Sequence, residues 1–315
     1  KKYLLESIDS TFVSSVGKFV DQFEQKVSEY TGAKHAIATV NGTAALHIAL
    51  KLAGVGHSSE VITQSLTFVA TSNARRYCRA TPLFVDVDKK TLGLSAESLE
   101  EFLQQNTEVR NDGFCWNKTS NRKISSCLPM HTFGFPVELN KIKGICDQYK
   151  IPIVEDAAES FGSFYHEKHT GTIGELSAIS FNGNKIISTG GGGMILTNDD
   201  QLAKRAKHIT TTAKCEHQWE FNHDEVGYNY RLPNLNAALG AAQLEMLPVY
   251  LNNKKEIAHQ YQAWGKENGL QFVAEQSNTA ANYWLNVAIM QDKQHRDKML
   301  EITNKNKVMS RPAWT

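Results

Sequence analysis

Apolar residues recur at helical spacing through Val16, Phe19, Val20, Phe23, Val27 and Tyr30, with Lys18, Asp21, Glu24, Gln25 and Lys26 on the opposite face. The pattern predicts a helix docked along one side and ended by Thr31-Gly32. Then the period changes. Ala36 to Val40 is a short unbroken apolar run, as expected of a strand buried on both faces, and it leads into Asn41-Gly42-Thr43 and an alanine-rich helix reaching Leu52. Comparable runs recur at Glu60 to Thr63, Leu83 to Asp88, Ile124 to Met130 and Ile151 to Val154. Helical segments separate them: one from the Thr67-Phe68 turn to near Arg79, one capped by Ser95 with Leu99, Phe102 and Leu103 inward, and one from Leu139 to Tyr149. The polar stretch from Asn106 to Lys123 reads as an excursion or a long hairpin. Strands alternating with helices predict an α/β fold, a mainly parallel sheet covered on both sides.

The stretch from Ala178 to Asp200 departs from this rhythm. Two apolar runs, Ala178 to Phe181 and Met194 to Thr197, flank a loop with a single amine, Lys185, and four consecutive glycines, Gly190 to Gly193. Glycines contribute no packing and lose much backbone freedom, so such a run implies a backbone that approaches something closely. A lysine shielded from water loses its preference for the ammonium form and becomes a nucleophile, the requirement of Schiff-base chemistry. A glycine-rich hairpin or a phosphate loop would use the same run.

Beyond it, a basic helix from Gln201 to His208 and the motif Gly227-Tyr228-Asn229-Tyr230-Arg231-Leu232-Pro233 precede a small-residue helix, Ala237 to Leu247. From Pro248 the texture becomes a Lys- and Gln-rich helix, a strand from Tyr283 to Met290 and a helix from Arg296 to Asn304. A boundary near Pro248 is therefore expected, with a large domain over residues 1–247 and a smaller C-terminal α+β domain over 248–315.

Composition narrows the function classes. The 315 residues carry 34 basic and 33 acidic side chains, a net charge of +1 that gives a polyanion such as nucleic acid no footprint. No run is long and apolar enough to span a bilayer, and KKYLLESIDS lacks the apolar core of a signal peptide, so a cytoplasmic enzyme is expected. The 5 cysteines are scattered without a CxxC pair and read as reduced thiols, and the 11 histidines form no metal-binding spacing. The chain lacks an initiating Met and stops within sequence that reads as folded, so a longer protein is expected.

In a parallel sheet, ligands gather outside the carboxyl ends of the strands. The Gly42-Thr43 turn, Phe68, His131, Asp156 and the Lys185 loop all follow strands and face that rim. Pyridoxal phosphate needs a lysine, an acid for its ring nitrogen, phosphate donors and a flat wall. Lys185 and Asp156 are candidates for the first two, and Gly42, Thr43 and Ser180 for the third. Phe68 or His131 would be the wall. Each has a plainer reading: Asn41 or Thr43 as a helix cap, Asp156 as a turn residue, Phe68 as core.

VNGTAALHIAL, SLTFVATSNA, HTFGFP, VEDAAESFGS, SFNGNKIISTGGGGMILTND and GYNYRLPNLNAALG, taken jointly over about Val16 to Met246, resemble the DegT/DnrJ/EryC1/StrS sugar aminotransferases. The wording around Lys185 is most similar to the branch that aminates nucleotide-linked sugars for legionaminic-acid-type nonulosonates. The resemblance implies a fold-type-I pyridoxal-phosphate transferase with Lys185 as Schiff-base lysine and proton carrier and Asp156 on the pyridine nitrogen. It further implies Gly42, Thr43 and Ser180 on the phosphate and Phe68 as the stacking aromatic. Glu159 stands where the family usually has Gln or His near the cofactor's 3-hydroxyl, a departure. Asn229 would reach the phosphate of a neighbouring subunit, making the functional unit a homodimer with a shared site. The implied reaction moves the amino group of L-glutamate, released as 2-oxoglutarate, through pyridoxamine phosphate to C4 of a UDP- or GDP-linked 4-keto-6-deoxy sugar. A nucleotide-sugar dehydratase of the same fold carries His at the lysine position, and a non-catalytic regulatory member is expected to lose Lys185 or Asp156; this chain keeps both. The purified protein is expected to be yellow near neutral pH and to bleach on addition of glutamate; a preparation that absorbs no visible light and takes up no pyridoxal phosphate would contradict this reading.

Overall fold

The computed structural model describes residues 1–314. An opening helix, α1 (Lys2–Asp9), precedes the amphipathic helix α2 (Lys18–Thr31), which ends where Gly32 turns left-handed at φ 75°. The chain then alternates: β1 (His35–Thr39), α3 (Gly42–Leu52), β2 (Ser59–Gln64), α4 (Val69–Tyr77), β3 (Thr81–Val85) and α5 (Ala96–Asn106). The polar excursion is a hairpin, β4 (Thr107–Val109) and β5 (Cys115–Asn117), leading into β6 (Lys123–Leu128). After α6 (Leu139–Gln148) and β7 (Val154–Asp156) come the small hairpin β8 (Phe164–Tyr165) and β9 (Lys168–His169), then β10 (Leu176–Ser180) and β11 (Gly193–Thr197). The helices α7 (Asp200–Thr210) and α8 (Asn234–Glu267) follow, and then β12 (Gln271–Phe272), β13 (Thr279–Ala280), β14 (Ala288–Ile289) and α9 (Lys293–Lys305).

A four-stranded sheet, β1-β11-β10-β7, and a five-stranded sheet, β3-β2-β6-β5-β4, are joined by parallel bridges from Cys127 to Ile153 and from Met130 to Asp156. Their strands β2, β3 and β6 are parallel, as are β7 and β10, whereas β11 runs against both β1 and β10. The reason is local: no crossover helix lies between β10 and β11, so the chain has to return antiparallel. Alternate residues of each strand enter different cores. On one face Ile37, Val61, Ala178 and Ile195 meet α3, α4 and α7. On the other, Ile179, Met194 and Leu196 meet α2 and α8, while Ile62 and Cys127 meet α5 and α6. The mainly parallel, doubly covered architecture follows from that alternation.

Two expectations are corrected. The helix expected over Ala237 to Leu247 and the Lys- and Gln-rich helix expected from Pro248 are one continuous helix, Asn234–Glu267, with Pro248 inside it. Buried Leu247 and Ala258 anchor it on either side of the proline. The strand expected over Tyr283 to Met290 shrinks to Ala288–Ile289, because Tyr283 is left-handed at φ 47° and cannot continue an extended run. Thr315, the last residue of the expected C-terminal part, lies outside the described residues.

The N-terminal arm is tied to α8 by one side chain. Asn234, only 1% exposed, accepts the Phe19 N–H at 3.0 Å, so α2 is capped from another helix, and its amide donates to Phe12 O at 2.5 Å and Ser7 Oγ at 3.2 Å. Asn234→Ala strands these buried groups and is expected to lower unfolding free energy by about 2–3 kcal/mol in denaturant titration; an unchanged midpoint would show that the arm is not held there.

Candidate active site

The ends of β7 and β10 and the start of α3 meet on one rim. Asp156 closes β7 and is 3% exposed; its Oδ2 accepts the Thr71 hydroxyl of α4 at 2.6 Å and its Oδ1 the Ala158 N–H at 3.2 Å. Burial pushes its carboxyl above the usual range, against the opposing hydrogen bond from Thr71 and the charge of Lys185. Glu159 follows in the turn after β7. Its Oε2 accepts the Phe133 N–H at 2.9 Å, its Oε1 lies 3.4 Å from Lys185 Nζ, and burial raises its pKa to about 7. Lys185, in the loop between β10 and β11, is itself mostly shut from water. That burial lowers its proton affinity, while Glu159 and Asp156 pull it back up. The indole of Trp284 covers the amine at 3.9 Å.

A small cleft is bordered by Ala158, Glu159, Ser180 and Lys185, and Ser180 also stands against Gly42 at the start of α3. There the backbones crowd. A Cβ on Gly42 would stand 2.8 Å from Ser180 Cβ, and one on Gly193 would stand 2.5 Å from the Asn41 carbonyl. The glycine run thus serves two needs: Gly190 adopts φ 79°, and Gly193 lets β11 pass the Asn41-Gly42 peptide. Asn41 caps α3 by accepting the Ala44 N–H at 2.8 Å. The Gly42 and Thr43 N–H groups precede the helix's internal bonds, and the Ser180 hydroxyl lies beside Gly42.

The remaining predicted residues are placed differently. Phe68, the N-cap of α4, is half exposed, with its ring edge-on to Trp314 at 5.8 Å. His131 is fully buried and is not a free wall: Nε2 lies 3.0 Å from Glu155 Oε2, and Nδ1 accepts the Val137 N–H at 3.3 Å. Asn229 is exposed and accepts a hydrogen bond from Arg231 Nε at 3.1 Å. Sequence reasoning missed Thr71, Asn282 and Trp284. Asn282 donates to Glu159 O at 2.8 Å and Phe161 O at 2.9 Å and accepts the Trp284 N–H at 2.8 Å, holding the indole over Lys185. Only Thr71 left a trace, one turn into the helix after Thr67-Phe68.

Residues 1–315 match the profile of the DegT/DnrJ/EryC1/StrS aminotransferase family. The chain belongs to that family. It is 34% identical over 313 residues to a protein described as putative pyridoxal phosphate-dependent aminotransferase EpsN of Bacillus subtilis, covering 99% of this chain and 78% of that one. It is also 34% identical to the GDP-perosamine synthase of Escherichia coli O157:H7, covering 100% and 81%. The crystal structure of a family aminotransferase from Brucella abortus superimposes with TM-score 0.86 at 26% identity, over 96% of this chain and 78% of that one. This aminotransferase accordingly has the fold of pyridoxal-phosphate transferases and depends on that cofactor.

The donor set fits the group. Asp156 is a buried carboxyl already met by the Thr71 hydroxyl and the Ala158 N–H, and as a carboxylate it suits a hydrogen bond from a protonated ring nitrogen. Backbone N–H groups at a helix start, with a hydroxyl beside Gly42, suit a phosphate. Thr71→Val keeps the shape of the side chain but strips Asp156 Oδ2 of its donor, so stability should fall by roughly 1–3 kcal/mol and pyridoxal phosphate should be lost faster on dialysis. Wild-type retention together with an unchanged melting temperature would remove Thr71 from the site.

Proposed function

We propose that this aminotransferase transfers the amino group of L-glutamate to C4 of a UDP- or GDP-linked 4-keto-6-deoxy sugar for bacterial surface-glycan biosynthesis. The observation that carries the reading is Lys185 Nζ standing 3.4 Å from Glu159 Oε1 in a largely buried site, with the charge of buried Asp156 acting on both. When bound, pyridoxal phosphate supplies an electron sink for the carbanion formed at the reacting carbon. Lys185 Nζ would hold the cofactor and would serve as the group that takes up and returns the proton at the reacting carbon. Asp156 holds the proton of the ring nitrogen. Gly42, Thr43 and Ser180 would hold the phosphate and Phe68 would wall the ring, while Glu159 faces the lysine amine at 3.4 Å.

A nucleotide-sugar acceptor is supported by the similarity to GDP-perosamine synthase, which favours a GDP-linked substrate, whereas the wording around Lys185 favours the nonulosonate branch. A cytoplasmic homodimer completes the proposal, with Asn229 reaching the partner's phosphate and residues 1–247 forming the part that holds the cofactor. Its support is the exposure of Asn229 in a segment that also leaves Trp219, Phe221 and Val226 about three-quarters exposed, at 76%, 74% and 74%. Among the described residues no helix is long and apolar enough to cross a membrane.

Lys185→Ala is expected to bind pyridoxal phosphate without a covalent bond and to lose at least about 10³-fold in turnover. Wild-type enzyme supplied with glutamate and a panel of UDP- and GDP-linked 4-keto sugars should release 2-oxoglutarate with one or a few of them. Substantial turnover by Lys185→Ala, or no reaction with any 4-keto sugar, would overturn the assignment.

A further inference from the structure

We propose that Glu159 is a catalytic residue in its own right: its Oε1 takes the proton from the Lys185 ammonium and later returns it, so that the lysine reacts as a free amine. This rests on the reading of Lys185 given above. In the step the Nζ–H bond breaks with its electron pair left on nitrogen and an Oε1–H bond forms. An ammonium and a carboxylate become an amine and a carboxylic acid, with no change in net charge.

The geometry leaves few alternatives. Lys185 Nζ sits between the Trp284 indole face at 3.9 Å and Glu159 Oε1 at 3.4 Å. An indole nitrogen only donates, and this one already donates to Asn184 O at 2.6 Å, so the proton acceptor within reach is the carboxylate. Nor is Glu159 free to swing away. The Phe133 N–H holds Oε2 at 2.9 Å, and Phe133 is locked at φ 56° in a turn closed by Gly134 N–H to His131 O at 3.2 Å and Phe135 N–H to Thr132 O at 3.0 Å. Asn282 grips the Glu159 carbonyl from the C-terminal side at 2.8 Å.

Energetics point the same way. An ion pair withdrawn from water is stabilised only by short, well-aligned contact, and charge-assisted N–H···O bonds run to about 2.7–2.9 Å. The observed 3.4 Å contact is longer than that, so the ionic form gains little over the neutral one. Burial raises the carboxyl to about 7 and lowers the amine, drawing two ordinarily distant proton affinities together. Asp156 at the end of β7 is the other charged group acting on the pair, and it raises both members alike. A glutamine at this position accepts a hydrogen bond but not a proton, which gives the departure at Glu159 a chemical content.

The test follows covalent capture of added pyridoxal phosphate by cofactor-free protein, read by absorbance and by borohydride trapping on the Lys185 peptide, between about pH 6 and about pH 9. No sugar is present, so an error in the acceptor assignment leaves this readout unmoved. Wild-type capture should be nearly independent of pH through about pH 7 to 8, because the pair supplies amine without losing a proton to solvent. Glu159→Gln keeps the Phe133 contact; it should be roughly tenfold or more slower near pH 7 and climb about tenfold per pH unit as solvent deprotonates the lysine. Glu159→Asp retains an acid at a longer reach and should be slower than wild type but equally flat. If Glu159 were only a counter-ion, its removal would lower the proton affinity of Lys185 and speed capture. A Glu159→Gln protein as fast as wild type or faster therefore overturns the proposal, and absence of capture by wild type overturns the reading of Lys185 as well.

Discussion

One ammonium and two carboxyl groups brought together out of water is the constraint that the rest of this structure serves. A buried charge without a partner costs several kcal/mol, so each of the three has to be met by something built to meet it. Asp156 is met by the Thr71 hydroxyl and a backbone N–H, Glu159 by the Phe133 N–H, and Lys185 by Glu159 and the face of Trp284. These partners come from α4, from the turn after β6, and from the C-terminal region. No single segment of the chain contains enough of them to form the site alone. Folding of the whole sheet with its covering layers is therefore a precondition for the lysine's altered chemistry.

The direction of β11 is part of that arrangement. An antiparallel return places the Lys185 loop and the glycine run on the same rim as the start of α3, and Gly193 then crosses the Asn41-Gly42 peptide at a distance no side chain would tolerate. Gly42 meets Ser180 in the same way. Close approach at these two points sets the spacing between the helix start and the loop that carries the amine. The glycines bring backbone against backbone, and the candidate phosphate position is a by-product of that approach.

Much of the fold was legible because its signals are local. The 3.6-residue period of α2, the apolar runs of β1, β2, β6 and β10 and the Ser95 cap of α5 each declare themselves within a few residues. Lys185 and Asp156 were legible as candidates because an isolated amine beside a glycine run and an acid at a strand end are both visible in one dimension. The failures have tertiary causes. Apolar residues from Tyr283 onward look like a strand, but Tyr283 and Trp284 are apolar because they pack with Phe133, Phe135 and Val273 across the molecule, on a backbone that turns. Pro248 looks like a terminator, yet a helix packed on both sides of it continues. The role of Asn282 leaves no local trace, since its partners Glu159 and Phe161 lie 123 and 121 residues earlier.

That last contact links the C-terminal region to the chemistry. Asn282 spends its amide on two carbonyls of the turn that carries Glu159, and the oxygen of the same side chain orients Trp284. Trp284 in turn donates to Asn184, the residue before the lysine, and its carbonyl accepts Lys254 Nζ of α8 at 2.8 Å. The acid, the amine and the indole above them are thus positioned relative to one another by a short chain of hydrogen bonds, buried at Asn282 and partly buried at Trp284 and Lys185, rather than by packing alone. Hydrogen bonds are directional where apolar contacts are not, so a small rotation of the C-terminal elements would change the Lys185 surroundings before it disturbed the core.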